Sequence, residues 1–309
     1  MRFPLATLNR LVNWRRASMI SWLWLAGCAS LPPLPMWPAP SGEPDLRQSD
    51  NAPHYPVDVS RIFGIAEGAC EAQVELHAPR TIRTDAVVVF AHGFLHSIHQ
   101  HQALAQHFAA WGVPTYLVGL CPSGWTRGGA PMLARLMRAT ADRSGKRQII
   151  YGGFSAGGSA AYMASSHDPK SVGLLGLDPV GHGQPSTLRH AAFPALGLFG
   201  PSNLCNAEQS GRSLFNPAAG DVLREIAGTT HCHFESPTDW LCRIPCGEPG
   251  SPEQLRVLRG RIFGMATAYV RWRAGLDVRA PQAWWQPVDG FLRETSPMSN
   301  PPAGPAFTR

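Results

Sequence analysis

A chain of 309 residues that is 44% hydrophobic can bury one large core, and open α/β sheets of this length commonly form single domains. The formal net charge is +6, but residues 1–27 carry four Arg and no acid, so the remainder is only +2. A basic pI that resides largely in a leader removes the main compositional support for nucleic-acid binding.

The leader reads as an export signal. Arg2, Arg10, Arg15 and Arg16 precede an apolar stretch from Ala17 to Gly27, which is too short to span a bilayer and shaped like the hydrophobic region of a signal peptide. It ends in Leu25-Ala26-Gly27-Cys28, which resembles the lipobox of bacterial lipoproteins, whose cysteine is lipidated and becomes the new N-terminus. An ordinary signal peptide cut near Ser30 is the alternative. Residues 28–59 are rich in Pro, Ser and charge and read as a tether, and residues 60–309 as one folded domain. Beyond Cys28 six cysteines remain: Cys70, Cys121, Cys205, Cys232, Cys242 and Cys246. That even number suits three disulfides in an oxidising compartment. A zinc site using His231 and His233 with Cys232–Cys246 fits no standard ligand spacing.

From Cys70 onward, strand-like and helix-like segments alternate. Cys70–His77 alternates as a half-buried strand, and Ala86–Ala91 is a continuous apolar run of the kind buried in parallel sheets. A helix over Gln102–Trp111, a strand over Pro114–Leu120 and a helix over Met132–Asp142 follow. Strands are expected at Arg147–Gly152, Val172–Leu177, Ala195–Phe199 and Val222–Ile226, with a closing helix over Leu255–Gly275. This alternation predicts a mainly parallel sheet with helices on both faces.

Gly153-Phe154-Ser155-Ala156-Gly157 lies between the apolar run Gln148–Tyr151 and the small-residue, helix-like segment Ser159–Ala164. G-x-S-x-G in a strand–turn–helix setting is how a nucleophile elbow is built, with the serine on a strained turn and the glycines allowing close packing. A serine hydroxyl needs a base to take its proton and a third group to orient that base. His231, after the Gly228-Thr229-Thr230 turn, is the expected base, with His233 as the runner-up. The loop after Ala195–Phe199 offers no carboxylate nearer than Glu208. Asp178 stands one strand earlier, at a carboxyl end where ligand chemistry in open α/β sheets collects, and is the expected acid. The oxyanion hole needs two backbone N–H groups. Ala156 and Phe94 are assigned, with Leu95 as an alternative to Phe94 and His92 as a structural hydrogen-bonder beneath the turn. His96, His99 and His101 read as solvated histidines at a helix start rather than as a metal cluster.

The strand ending in His92-Gly93-Phe94, the helix ending in Trp111-Gly112, the Gly-x-Ser-x-Gly-Gly elbow and Gly176-Leu177-Asp178-Pro179-Val180 occur in order. Together, over about Ile62 to Trp285, they resemble the chlorophyllase and cutinase-like branch of the α/β hydrolases, which includes dienelactone hydrolases. The resemblance implies an α/β-hydrolase fold with an eight-stranded, mainly parallel sheet. It also implies Ser155, Asp178 and His231 as the triad. Plant chlorophyllases carry Arg where this chain has Ala156, so the resemblance implies an ester but not chlorophyll. From the same fold, Cys70–Cys121, Cys205–Cys232 and Cys242–Cys246 are the expected disulfides.

The expected protein is thus an exported serine hydrolase, anchored by lipid on Cys28, that cleaves small-molecule or polymeric esters without metal or cofactor. A peptidase or amidase on the same triad, and a catalytically silent surface binding protein, are the alternatives. Trp125, Phe154 and Trp240 are candidates for pocket wall or for core.

Overall fold

The computed structural model describes residues 55–121, 124, 129–181, 193–247 and 250–276. The leader, Cys28 and Trp125 lie outside these residues. Ten strands are described: β1 (Val57–Ile62), β2 (Ala66–Glu67), β3 (Cys70–Glu71), β4 (Gln73–Pro79), β5 (Ala86–Ala91), β6 (Thr115–Gly119), β7 (Gln148–Phe154), β8 (Ser171–Leu177), β9 (Leu196–Phe199) and β10 (Val222–Glu225). The helices are α1 (Gln102–Ala110), α2 (Gly129–Arg143), α3 (Ala156–His167), α4 (Trp240–Cys246) and α5 (Pro252–Arg273). Eight strands form one sheet in the order β1-β4-β6-β5-β7-β8-β9-β10, while β2 and β3 pair as a separate ribbon. β4 is antiparallel to both of its neighbours, and all strands from β6 to β10 run parallel.

The apolar run Ala86–Ala91 is fully buried because both faces of the sheet are covered. Successive side chains of a strand point to opposite faces. Val88 and Phe90 therefore join Phe108 of α1 and Ile262 and Phe263 of α5 in one core layer. Val87, Val89 and Ala91 join Leu133 and Met137 of α2 and Ala160 of α3 in the other. The carboxyl ends of β5, β7, β8, β9 and β10 all reach the same edge of the sheet, so the loops leaving them are neighbours whatever their separation in sequence.

Two expectations are corrected here. The tether does not run to residue 59, because Val57–Ile62 forms an edge strand paired in register with Val74–Pro79. That strand is largely exposed and is held by its backbone ladder, so no apolar alternation announces it. The half-buried strand expected over Cys70–His77 is broken after Glu71, where β3 turns back on β2 and β4 takes over at Gln73.

Cys70 and Cys121 are joined, with their Cα atoms 5.6 Å apart. The bridge links the start of the β4 region to the end of β6. It closes a segment of 51 residues, for which chain entropy gives a stabilisation of about 4 kcal/mol. A Cys70→Ala/Cys121→Ala variant should lose about 2–5 kcal/mol of unfolding free energy in urea titration, without a change in far-UV circular dichroism.

Candidate active site

The elbow forms because β7 runs directly into α3. Ser155 sits between them with φ 52° and ψ −123°, a conformation that a non-glycine residue adopts only under constraint. The constraint is packing. A Cβ on Gly157 would collide with the carbonyl oxygens of Ala91 and His92, and one on Gly153 with the carbonyl of Gly157. Only glycine lets β5, β7 and α3 come this close. The Ser155 carbonyl accepts from Gly158 N–H (2.9 Å) and Val180 N–H (3.0 Å), which ties the elbow to the loop after β8.

Asp178 follows β8, also at positive φ (40°), with no exposed surface. The Nδ1–H of His231 donates to its Oδ2 at 2.6 Å, and Oδ1 accepts from Gly200 N–H (2.9 Å) and Asn206 Nδ2 (3.2 Å). A carboxylate met by three donors can be buried ionised, where an unpaired one could not. The bond at Nδ1 selects the His231 tautomer whose Nε2 is free to accept a proton. The imidazole rests on the Phe154 ring, with centroids 4.5 Å apart. Phe154 itself is fully buried, so it floors the site rather than walling a pocket.

Ser155, Ala156 and His231 open onto a cleft of about 350 Å³, whose wall includes Phe94, Leu95, Val180, Leu204, Ala207 and Pro245. Ala156 begins α3, where the first N–H groups lack an intrahelical partner. Ala156 and Phe94 both line that cleft. Beneath the turn, His92 donates from Nδ1 to the Gly93 carbonyl (2.7 Å), and its Nε2 accepts from Leu120 N–H (3.0 Å). Trp240 is partly exposed on α4 and is not among the residues of this wall.

Glu208 accepts from the Ser202 hydroxyl at 2.5 Å, while the carboxylate that meets His231 is that of Asp178. His233 accepts from Thr230 N–H at 2.8 Å and so caps its own turn. The solvated histidine cluster is also corrected. His101 is buried between Phe90 and Phe154, and His96 turns inward to place Nδ1 2.8 Å from Glu235 Oε1 and 3.6 Å from Asp239 Oδ2. These three side chains bring donor atoms within 4.8 Å of one another, a set whose types could suit a cation. In this structure their closest approach is the ion pair.

Cys205 pairs with Cys246 and Cys232 with Cys242, instead of the expected Cys205–Cys232 and Cys242–Cys246. The reason is α4, which the sequence reading missed. Cys242 and Cys246 are one helical turn apart, so each meets a different loop. Cys242 reaches the 3-10 turn His231–Phe234, and Cys246 reaches the 3-10 turn Leu204–Asn206. Seven residues with an internal Pro245 give no usable period, and Asp239 before Trp240 was the one cap signal available. Asn206 was also missed, since nothing in its neighbourhood reveals a partner 28 positions away.

Burial lowers the pKa of His92 and of His107 from 6.5 to about 4 and pushes His101 well below its usual value. Burial would lower His96 too, but the Glu235 charge, with Asp239, raises it to about 10. Below pH 6.5 the unfolded chain takes up protons that the first three refuse, so stability falls between pH 6.5 and 4. The His96 contribution is complete below pH 6.5 and is lost as pH rises through about 10. Melting temperature followed against pH should therefore peak near pH 6.5 and decline on both sides.

No protein-family model matches the sequence, and no curated protein does. Solved structures of similar shape exist. A dienelactone hydrolase from Anabaena variabilis superposes with a TM-score of 0.51 at 18% identity, over 69% of this chain and 96% of its own. A candidate dienelactone hydrolase from Klebsiella pneumoniae gives 0.41 at 16% identity, over 56% and 85%. At such identities the likeness speaks to architecture, and with the sheet order described above it shows that this chain has the α/β-hydrolase fold.

Proposed function

We propose that the protein is a serine hydrolase that cleaves carboxylic esters through an acyl-enzyme. The observation that carries this reading is the strained Ser155 elbow opening on the same cleft as a histidine whose Nδ1 is held at 2.6 Å by a buried carboxylate. Ser155 Oγ attacks the ester carbonyl carbon while His231 Nε2 takes its proton. The oxyanion that forms is met by the N–H groups of Ala156 and Phe94. Collapse breaks the bond to the alcohol, which leaves with the proton from His231. Water, deprotonated by the same nitrogen, then attacks the acyl carbon and regenerates Ser155. Asp178 holds the imidazole tautomer and stabilises the imidazolium without itself becoming protonated. Every charge that develops is served by one of these groups, so the reaction as read calls for no cofactor.

The cleft wall favours an acyl or alcohol part with substantial apolar surface, since Phe94, Leu95, Val180, Leu204, Ala207 and Pro245 outnumber the polar groups there. We place the protein outside the cytoplasm, tethered by lipid on Cys28. Three disulfides among the described residues and the Leu25–Cys28 motif support that location.

A fluorophosphonate should form its adduct on Ser155 in the wild type and none in Ser155→Ala. Absence of a wild-type adduct sinks the catalytic reading. With p-nitrophenyl esters of graded chain length, Asp178→Asn should lower kcat about 10³–10⁴-fold through the wrong tautomer, while Glu208→Gln stays within about twofold. Mass spectrometry of the mature N-terminal peptide should find acyl groups on Cys28, and an unmodified Cys28 in membrane-extracted protein would rule out the anchor.

A further inference from the structure

Glu235 is a fully buried charged side chain outside the triad. Its carboxylate has no exposed surface, and neither oxygen accepts a hydrogen bond among the described residues. Its closest counter-charge is the imidazole of His96, whose Nδ1 lies 2.8 Å from Oε1 in an ion pair and not in an aligned hydrogen bond. A buried charge is tolerated only when compensated, and removing one partner leaves the other stranded.

The position of this pair is what gives it meaning. His96 directly follows the oxyanion turn Gly93–Leu95 and lines the cleft with Ser155. Glu235 directly follows the turn His231–Phe234 that carries the base. The pair therefore bridges the two loops that must act on one carbonyl group from different sides. Leu95, between them, has φ 61°, a left-handed conformation that a β-carbon-bearing residue keeps only when its surroundings over-determine it. The His96 N–H donates back to the Gly93 carbonyl at 3.3 Å, so the residue that carries the ring also closes the turn. Further bonds follow the same seam. Ser236 N–H donates to the Gln100 carbonyl (2.8 Å), and Gln100 Nε2 donates to Asp239 Oδ2 (3.2 Å). Asp239 stands 3.6 Å from His96 and caps α4 through Cys242 N–H, on the helix whose cysteines hold the other catalytic loops.

We propose that His96 and Glu235, steadied by Asp239, are positioning residues that hold the Phe94 amide in the oxyanion hole by locking its turn to the histidine turn. The inference rests on the serine-hydrolase reading above. An oxyanion donor is effective only within a few tenths of an ångström of its place, and loss of one costs about 10²–10³ in kcat. Partial misplacement should cost less.

The experiment uses the full-length protein with His96→Gln, Glu235→Gln, the double variant and His96→Lys. It reads kcat and KM on a p-nitrophenyl ester, the rate of phosphonylation of Ser155, and melting temperature. Each single Gln variant should lose about 10–100-fold in kcat and in phosphonylation rate with KM within about threefold. The double variant strands no charge, so it should recover melting temperature while remaining at least tenfold slow. His96→Lys, which restores a cation, should recover part of kcat over His96→Gln. A double variant turning over within twofold of wild type overturns the proposal, because the pair would then serve stability alone. Equal losses in His96→Lys and His96→Gln overturn it too. So does a wild type whose activity is removed by a chelator and restored by zinc, which would make the trio a metal site. Should Glu235→Gln fail to fold, Asp239→Asn keeps the α4 cap and carries the test, with at least a threefold fall in kcat expected and no change overturning the proposal. A wild type that does not label at Ser155 fails the serine-hydrolase reading itself. Equal labelling of wild type and variants fails only the positioning.

Discussion

The Asp178 carboxylate lies wholly out of water, and such a group is stable only when its lone pairs are met. Three donors meet it: the His231 ring, the Gly200 amide and the Asn206 side chain. They come from the loops after β9 and β10, so satisfying one carboxylate requires two loops to be in place at once. Asn206 is itself held by its contacts with Pro201 and Gln209, and Gln209 by Glu225 at the end of β10. The hydrogen-bond network at the sheet edge is therefore one connected object, and its members are not independent.

Helix α4 closes that object from the cleft side. Through Cys242 it holds the turn of His231, and through Cys246 the turn of Asn206, while its cap residue Asp239 meets the segment that follows the Gly93–Leu95 turn. A short surface helix with a proline in it has little stability of its own. Two covalent links and one cap make it a fixed strut. Its outer residues, such as Ile244, stay exposed, while Pro245 and both cysteines contribute to the cleft wall.

Where local chemistry repeats, the chain could be read directly. The uninterrupted apolar run Ala86–Ala91 is a strand because a sheet covered on both faces tolerates no polar position there. The glycines around Ser155 mark the elbow, because any side chain at Gly153 or Gly157 would collide with backbone. Asp178 was reachable by elimination, since the loop after β9 has no closer carboxylate than Glu208. Elements lacking such repetition were illegible. β1 is largely exposed and shows no apolar alternation, and α4 is too short for a period.

The sequence by itself determined the order of the elements, the elbow, and the residues able to serve as nucleophile, base and acid, because these depend on side-chain type and near-neighbour spacing. Tertiary structure alone decided which cysteines meet, that His96 faces Glu235 instead of water, and that Asn206 completes the shell of Asp178. Those outcomes depend on which loops the parallel strands deliver to a common edge. Partners such as Asn206 and Asp178 lie 28 positions apart, a separation no local pattern encodes.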